Sequence, residues 1–141
     1  MSETKKFELH VPSVLGCEKV AMDFAASVAK AMKFPDDRVE DLKTAVAEAC
    51  TNAIEHGNKM DATTKVGVTL TVVDGRLQVA VQDEGRGIGT VPTPDIDRKL
   101  AAEDDRRGWG IFLINNLMDE VSFESTPEGK NVVKMIIHLE R

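Results

Sequence analysis

Three stretches of this chain combine residue types at spacings that can do chemistry. In the first, Glu48, Asn52 and Glu55 fall on one face of a helix at about 100° per residue, with His56 beside them. Asn52 offers a neutral oxygen able to join a magnesium shell, and Glu48, one turn earlier, offers a carboxylate. A plain solvated helix face is the alternative, although Thr51-Asn52 are weak helix formers for the middle of a long helix. The second stretch is Asp83-Glu84-Gly85-Arg86-Gly87, in which Asp83 continues the parity of Leu77, Val79 and Val81 and so places a carboxylate in a core-facing row. Such a group needs donors from backbone, water or a ligand. It either caps the glycine turn that follows or receives the exocyclic amino group of a base. In the third stretch, Arg106-Arg107-Gly108-Trp109-Gly110, glycines expose backbone N–H groups ahead of a helix whose positive end attracts anions; an ordinary glycine helix start is the alternative. Other phosphate and nucleophile motifs fail: there is no GxxxxGK[ST], no complete GxGxxG and no GxSxG.

The elements that must position these residues follow from hydrophobic period. Phe7, Leu9 and Val11 alternate with polar residues and predict a half-buried strand ended by Pro12. From about Glu18 to Lys33, Val20, Phe24, Val28 and Met32 recur every four residues, with alanines at 21, 25, 26, 29 and 31 allowing close packing, which predicts a helix with one buried face. Pro35-Asp36-Asp37 starts a second helix running to about Gly57, with Val39, Leu42, Val46, Ala49, Cys50 and Ala53 as its buried stripe. Two alternating rows, Val66 to Val72 and Leu77 to Val81, meet at Asp74-Gly75, a strong hairpin signal. The charged, glycine-rich and proline-containing segment from Glu84 to about Arg107 predicts a long loop, of the kind that is usually functional or disordered. Trp109 to Met118 predicts a helix, and residues 121–139 a final hairpin across Pro127-Glu128-Gly129. The expected class is α+β: a two-layer sandwich of a mostly antiparallel sheet with helices on one face. The other face then needs polar side chains or a partner.

At 141 residues, 42% of them hydrophobic, one domain spanning 1–141 with its own core is expected. The net charge of −6 removes any general attraction to nucleic acid or anionic lipid, and 4% aromatics with no Tyr leaves little stacking surface for single strands. Cys17 and Cys50 lack CxxC spacing and the three histidines are scattered, which fits reduced thiols and no zinc. The N-terminal residues lead into a strand rather than an apolar run, so neither a signal peptide nor a membrane span is expected, and the location expected is the cytoplasm.

Together the three stretches supply a metal and acid face, a base anchor, a loop cover and a phosphate-binding helix end, which makes a nucleotide site. Their residues are recognisable. Glu48-Ala49-Cys50-Thr51-Asn52-Ala53-Ile54-Glu55-His56-Gly57 resembles the N box of the Bergerat-fold ATPases, a group that includes gyrase, the ninety-kilodalton heat-shock chaperones, histidine kinases and mismatch-repair ATPases. Asp83-Glu84-Gly85-Arg86-Gly87 is similar to their DxGxG box and Gly108-Trp109-Gly110 to their second glycine box. The ExxTNAxxHG form and Asn116-Leu117-Met118-Asp119-Glu120-Val121 most resemble the small bacterial anti-sigma-factor serine kinases of partner-switching systems.

That resemblance implies ATP and Mg²⁺ as cofactors, Glu48 as the catalytic carboxylate and Asn52 as the magnesium ligand. It also implies Asp83 on the adenine amino group, Gly85 and Gly87 shaping the base pocket, Gly108 and Gly110 along the phosphates, and an ATP lid at about 88–107. Arg106 and Arg107 are both candidates for phosphate contact. The implied partners are a STAS-domain anti-anti-sigma protein, which is phosphorylated, and a sigma factor or similar regulator, which is sequestered by a homodimer; neither nucleic acid nor membrane is contacted directly. A nucleotide-binding interaction module with little or no kinase activity is the alternative. A detached histidine-kinase catalytic domain and a bare ATP hydrolase are further rivals. The chain departs from many relatives in reading Gly129-Lys130-Asn131 where they have a Gly-Thr pair entering the last strand.

Overall fold

A computed structural model describes residues 4–85 and 105–139, without the side chains of 105–107. Five strands form one antiparallel sheet, β1 (Lys5–Pro12), β2 (Lys65–Val73), β3 (Arg76–Gln82), β4 (Glu120–Ser125) and β5 (Asn131–His138), in the spatial order β1-β2-β3-β5-β4. The Asp74-Gly75 turn takes φ of 41° and 73°, the doubly positive geometry that suits the twist of a tight hairpin. Pairing of Val68 with Val81, Leu70 with Val79 and Val79 with Met135 puts one row of each strand on the same face. That row is fully buried. Thr69, Thr71, Gln78, Gln82 and Lys134 alternate onto the other face and are half-buried, and Ala80, Val132 and Ile136 share that face with them.

Three helices, α1 (Glu18–Ala31), α2 (Asp36–Asn52) and α3 (Asp105–Leu117), share a single hydrophobic cluster with that buried row. The stripe expected on α2 is buried throughout. On α1 the expectation needs correcting: Val20 is exposed and Phe24 only half-buried, whereas Ala21, Ala25, Ala26, Val28 and Ala29 form the inner face. Alanines let α1 approach α2 closely, and closeness outweighs side-chain size here. The helix stops at Ala31 with Lys33 at φ 68°, Lys33 N–H donating to Lys30 O at 2.9 Å and Phe34 N–H to Ala29 O at 3.1 Å, and Phe34 closes the motif from the core.

Beyond Asn52 the α2 helix widens into a π-helical turn, Ala53–Gly57, shown by the bond from Asn58 N–H to Ala53 O at 2.8 Å. Such widenings are frequent at functional sites. Here it carries the buried Asn58 carboxamide to Ser13 Oγ at 2.9 Å and Lys65 O at 3.1 Å, while Asn58 Oδ1 accepts from Glu84 N–H at 2.7 Å. One side chain thus ties the end of the helix to the ends of β1, β2 and β3. Among the described residues no helix is long and apolar enough to cross a membrane.

Candidate nucleotide-binding site

A cavity of about 320 Å³ lies between the end of α2 with its π turn, β3, α3 and the hairpin of β4 and β5. Asn52, His56 and Gly57 line it from the helix side, Asp83 and Asn131 from the sheet, and Ile111 from α3. Residues of the first two sequence motifs therefore share one chamber. Asp83 is only 5% exposed, and its carboxylate finds the donors that burial demands. Its Oδ1 accepts from Gly85 N–H at 2.8 Å and Asn131 N–H at 3.0 Å, and its Oδ2 accepts from Asn131 Nδ2 at 3.2 Å. Capping the glycine turn and facing the cavity are thus compatible roles for one residue. At Gly57 a Cβ would overlap the Asp83 carboxylate, so glycine is what lets the helix end close on β3. Gly85 has φ 71° and would strike the Gly129 carbonyl with any side chain.

Glu48 sits one turn before Asn52, half-buried, with its carboxylate against the backbone of α3: a Cβ on Gly110 would come within 2.7 Å of Glu48 Oε2. Gly110 is buried at that contact, whereas Gly108 is exposed and faces open space. The helix begins at Asp105, so these glycines lie within its opening turns rather than ahead of it, a correction to the sequence expectation. Between them Trp109 points outward and stacks on Phe112, with ring centroids 5.2 Å apart. Gly87 and residues 88–104 of the expected lid lie outside the described residues, as do the side chains of Arg106 and Arg107. The last three lid positions, 105–107, form the first turn of α3.

The histidine kinase-like ATPase domain, as a sequence family, matches residues 15–137 of the chain. The chain belongs to the histidine kinase-like ATPase family. Its relatives in that family include a serine-protein kinase RsbW of Bacillus licheniformis, 37% identical over 68% of this chain and 63% of that protein. Another is the anti-sigma F factor of Bacillus subtilis, 34% identical over 74% of this chain and 73% of that protein. The chain therefore spans less than two thirds of the first of these relatives and just under three quarters of the second. Among solved structures, the RsbU and RsbW domains of a Mycobacterium tuberculosis protein share the fold with a TM-score of 0.69 at 15% identity, over 95% of this chain and 32% of that one. The SiaB–SiaC complex of Pseudomonas aeruginosa gives 0.64 at 13% identity, over 93% and 88%.

For a histidine kinase-like ATPase domain, two site residues were not singled out by motif reading. Asn131 opens β5, and its carboxamide reaches the Asp83 carboxylate, so this strand does bring a polar side chain to the pocket. Asn58 lies just past the N box, and only its tertiary partners reveal it. Cys50, inside the N box, is fully buried; burial, with a smaller push from Glu18, drives its thiol up to about 12. It is a neutral packing residue. No group of three or more His, Cys, Asp or Glu able to hold a metal occurs among the described residues.

Proposed function

We propose that the protein is an ATP-dependent serine/threonine kinase and anti-sigma factor, acting in the cytoplasm on a STAS-domain anti-anti-sigma protein and sequestering a sigma factor or similar regulator as a homodimer. The observation that carries this reading is the shared cavity: the N-box face of α2 and the buried Asp83 line one chamber. The names of the relatives, serine-protein kinase and anti-sigma F factor, support the same activity. In this reading Asp83 accepts a hydrogen bond from the adenine amino group. Gly85 and Gly87 shape the base pocket. Gly108, Gly110 and one or both of Arg106 and Arg107 attend the phosphates, under a lid at about 88–107.

Asn52, half-buried on the cavity wall, supplies one neutral oxygen for Mg²⁺. That donor set fits a magnesium ion held mainly by phosphates and water, the usual mode for a nucleotide-bound ion. The ion would neutralise phosphate charge; the chain's own work is positioning, since phosphoryl transfer leaves the protein little bond making to assist. Glu48 orients the acceptor hydroxyl and takes its proton as the oxygen bonds to the γ-phosphorus and ADP leaves. Incubation with radiolabelled ATP and candidate STAS proteins tests the assignment: the wild type labels its partner, and Glu48→Ala keeps nucleotide affinity while losing transfer. Tight ATP binding without labelling of any partner would favour the interaction module. Hydrolysis with no acceptor would favour a bare ATPase.

A further inference from the structure

Asn58 is fully buried, and both ends of its carboxamide are bonded. Its orientation is unambiguous: Lys65 O can only accept and Glu84 N–H can only donate, so Nδ2 turns to the start of β2 and Oδ1 to the residues that follow β3. Two buried hydroxyls, Ser13 Oγ and Thr64 Oγ1, lie 2.9 Å apart beside it, and Ser13 Oγ accepts from Nδ2. Glu84 is held a second time, since its Oε2 accepts from Lys65 N–H at 2.7 Å. On the other side of Asn58, Lys59 and Met60 take φ of 51° and 58°. Two successive non-glycine residues in the left-handed region persist only where their surroundings over-determine them. Met60 N–H donates to Ile54 O at 2.7 Å and Asp61 N–H to Asn58 O at 3.0 Å, so the segment is pinned from both directions.

These bonds make a short path between two parts of the cavity wall. Ala53, the neighbour of Asn52, accepts from Asn58 N–H at 2.8 Å, and Asn58 Oδ1 accepts from the N–H of Glu84, the neighbour of Asp83. Asn52 and Asp83 both line the cavity. In the nucleotide reading, Asn52 attends the magnesium and phosphate end of the ligand and Asp83 its base. Resting on that reading, we propose that Asn58 is a positioning residue: it touches no part of the nucleotide, and it fixes the spacing between the phosphate-binding and base-binding halves of the site. A ligand held at both ends gains from its second contact only while that spacing is kept. Loosening the link therefore weakens binding of the whole nucleotide and spares binding of its separate parts.

Titration of the full chain with ATP, adenosine and inorganic tripolyphosphate, each with magnesium and followed by nuclear magnetic resonance, tests this. Asn58→Ala should weaken ATP about tenfold and leave adenosine and tripolyphosphate each within about twofold of the wild type. A merely destabilised variant gives a different pattern, because all three ligands see the same folded fraction and that fraction cancels from the ratio of any two affinities. An ATP-to-adenosine affinity ratio equal to that of the wild type means that Asn58 only supports the fold, and overturns the proposal. Should Asn58→Ala fail to fold, Glu84→Ala releases the same residues from β2 at an exposed position. There the ratio should fall about threefold, and a wild-type ratio overturns the proposal equally. A wild type that binds ATP no more tightly than adenosine overturns it without any variant. If ATP leaves the wild-type spectrum unchanged, the nucleotide reading itself fails and this inference falls with it.

Discussion

Glu48 and Gly110 illustrate how a motif glycine can be explained by its neighbour rather than by a ligand. The carboxylate of Glu48 lies where a Cβ on Gly110 would stand, and Gly110 is inside a helix, a position where glycine costs about 1 kcal/mol relative to alanine. Gly110→Ala should therefore leave the melting temperature unchanged or raised, because the far end of Glu48 can swing aside. Phosphate transfer to the partner protein should fall by at least about tenfold, since roughly 1.4 kcal/mol of misplacement suffices. Thermal denaturation and single-turnover labelling of the same preparation check both halves. Transfer at the wild-type rate would remove any need for the carboxylate to sit against α3. Asp83 was legible from parity alone, because an acid in a core-facing row has to be explained. Asn131 was not: its role depends on β5 pairing with β3, which no local pattern announces.

At the scale of elements, the hairpins and the buried stripe of α2 could be read directly, since period-two rows, an Asp-Gly step and a 3.6-residue stripe each have a local cause. Helix α1 could be placed but its face could not. The large residues Val20, Phe24, Val28 and Met32 mark one line, yet Ala21, Ala25 and Ala29 are the fully buried ones. Hydropathy ranks size, whereas this interface selects for the lack of it. Ala25→Leu should accordingly destabilise the fold by about 1–3 kcal/mol through overpacking, while Val20→Ser should stay within about 0.5 kcal/mol. Urea denaturation of the two variants measures both, and the opposite ranking would return α1 to the orientation its large residues suggest. The π turn was equally hidden, because Ala53–Gly57 has ordinary helical composition and its widening is secured from outside by the bonds of Asn58 to Ser13, Lys65 and Glu84.

For the whole molecule, the cavity is assembled from residues far apart in the chain, so its integrity depends on how α2 is held against the sheet. At the far end of α2, the buried Arg38 reaches Asp41 and Asp119 at 2.9 Å each, and Asp119 also accepts from His138 N–H at 2.8 Å. At the near end, Gly57 closes on Asp83. Clasped at both ends, α2 presents Glu48 and Asn52 on a rigid support, with the described part of α3 packed beside it. Stability and ligand binding are therefore linked, and a nucleotide that binds only the folded state must raise the melting temperature. The most direct measurement is thermal denaturation of the wild type and of Asp83→Asn with saturating ATP and magnesium. At about 100 times its dissociation constant, ATP adds roughly 2.7 kcal/mol, so the wild type should melt about 5–10 °C higher while Asp83→Asn shows little or no shift. A wild-type melting temperature that ATP leaves unmoved, or an Asp83→Asn variant shifted as far as the wild type, would contradict the account.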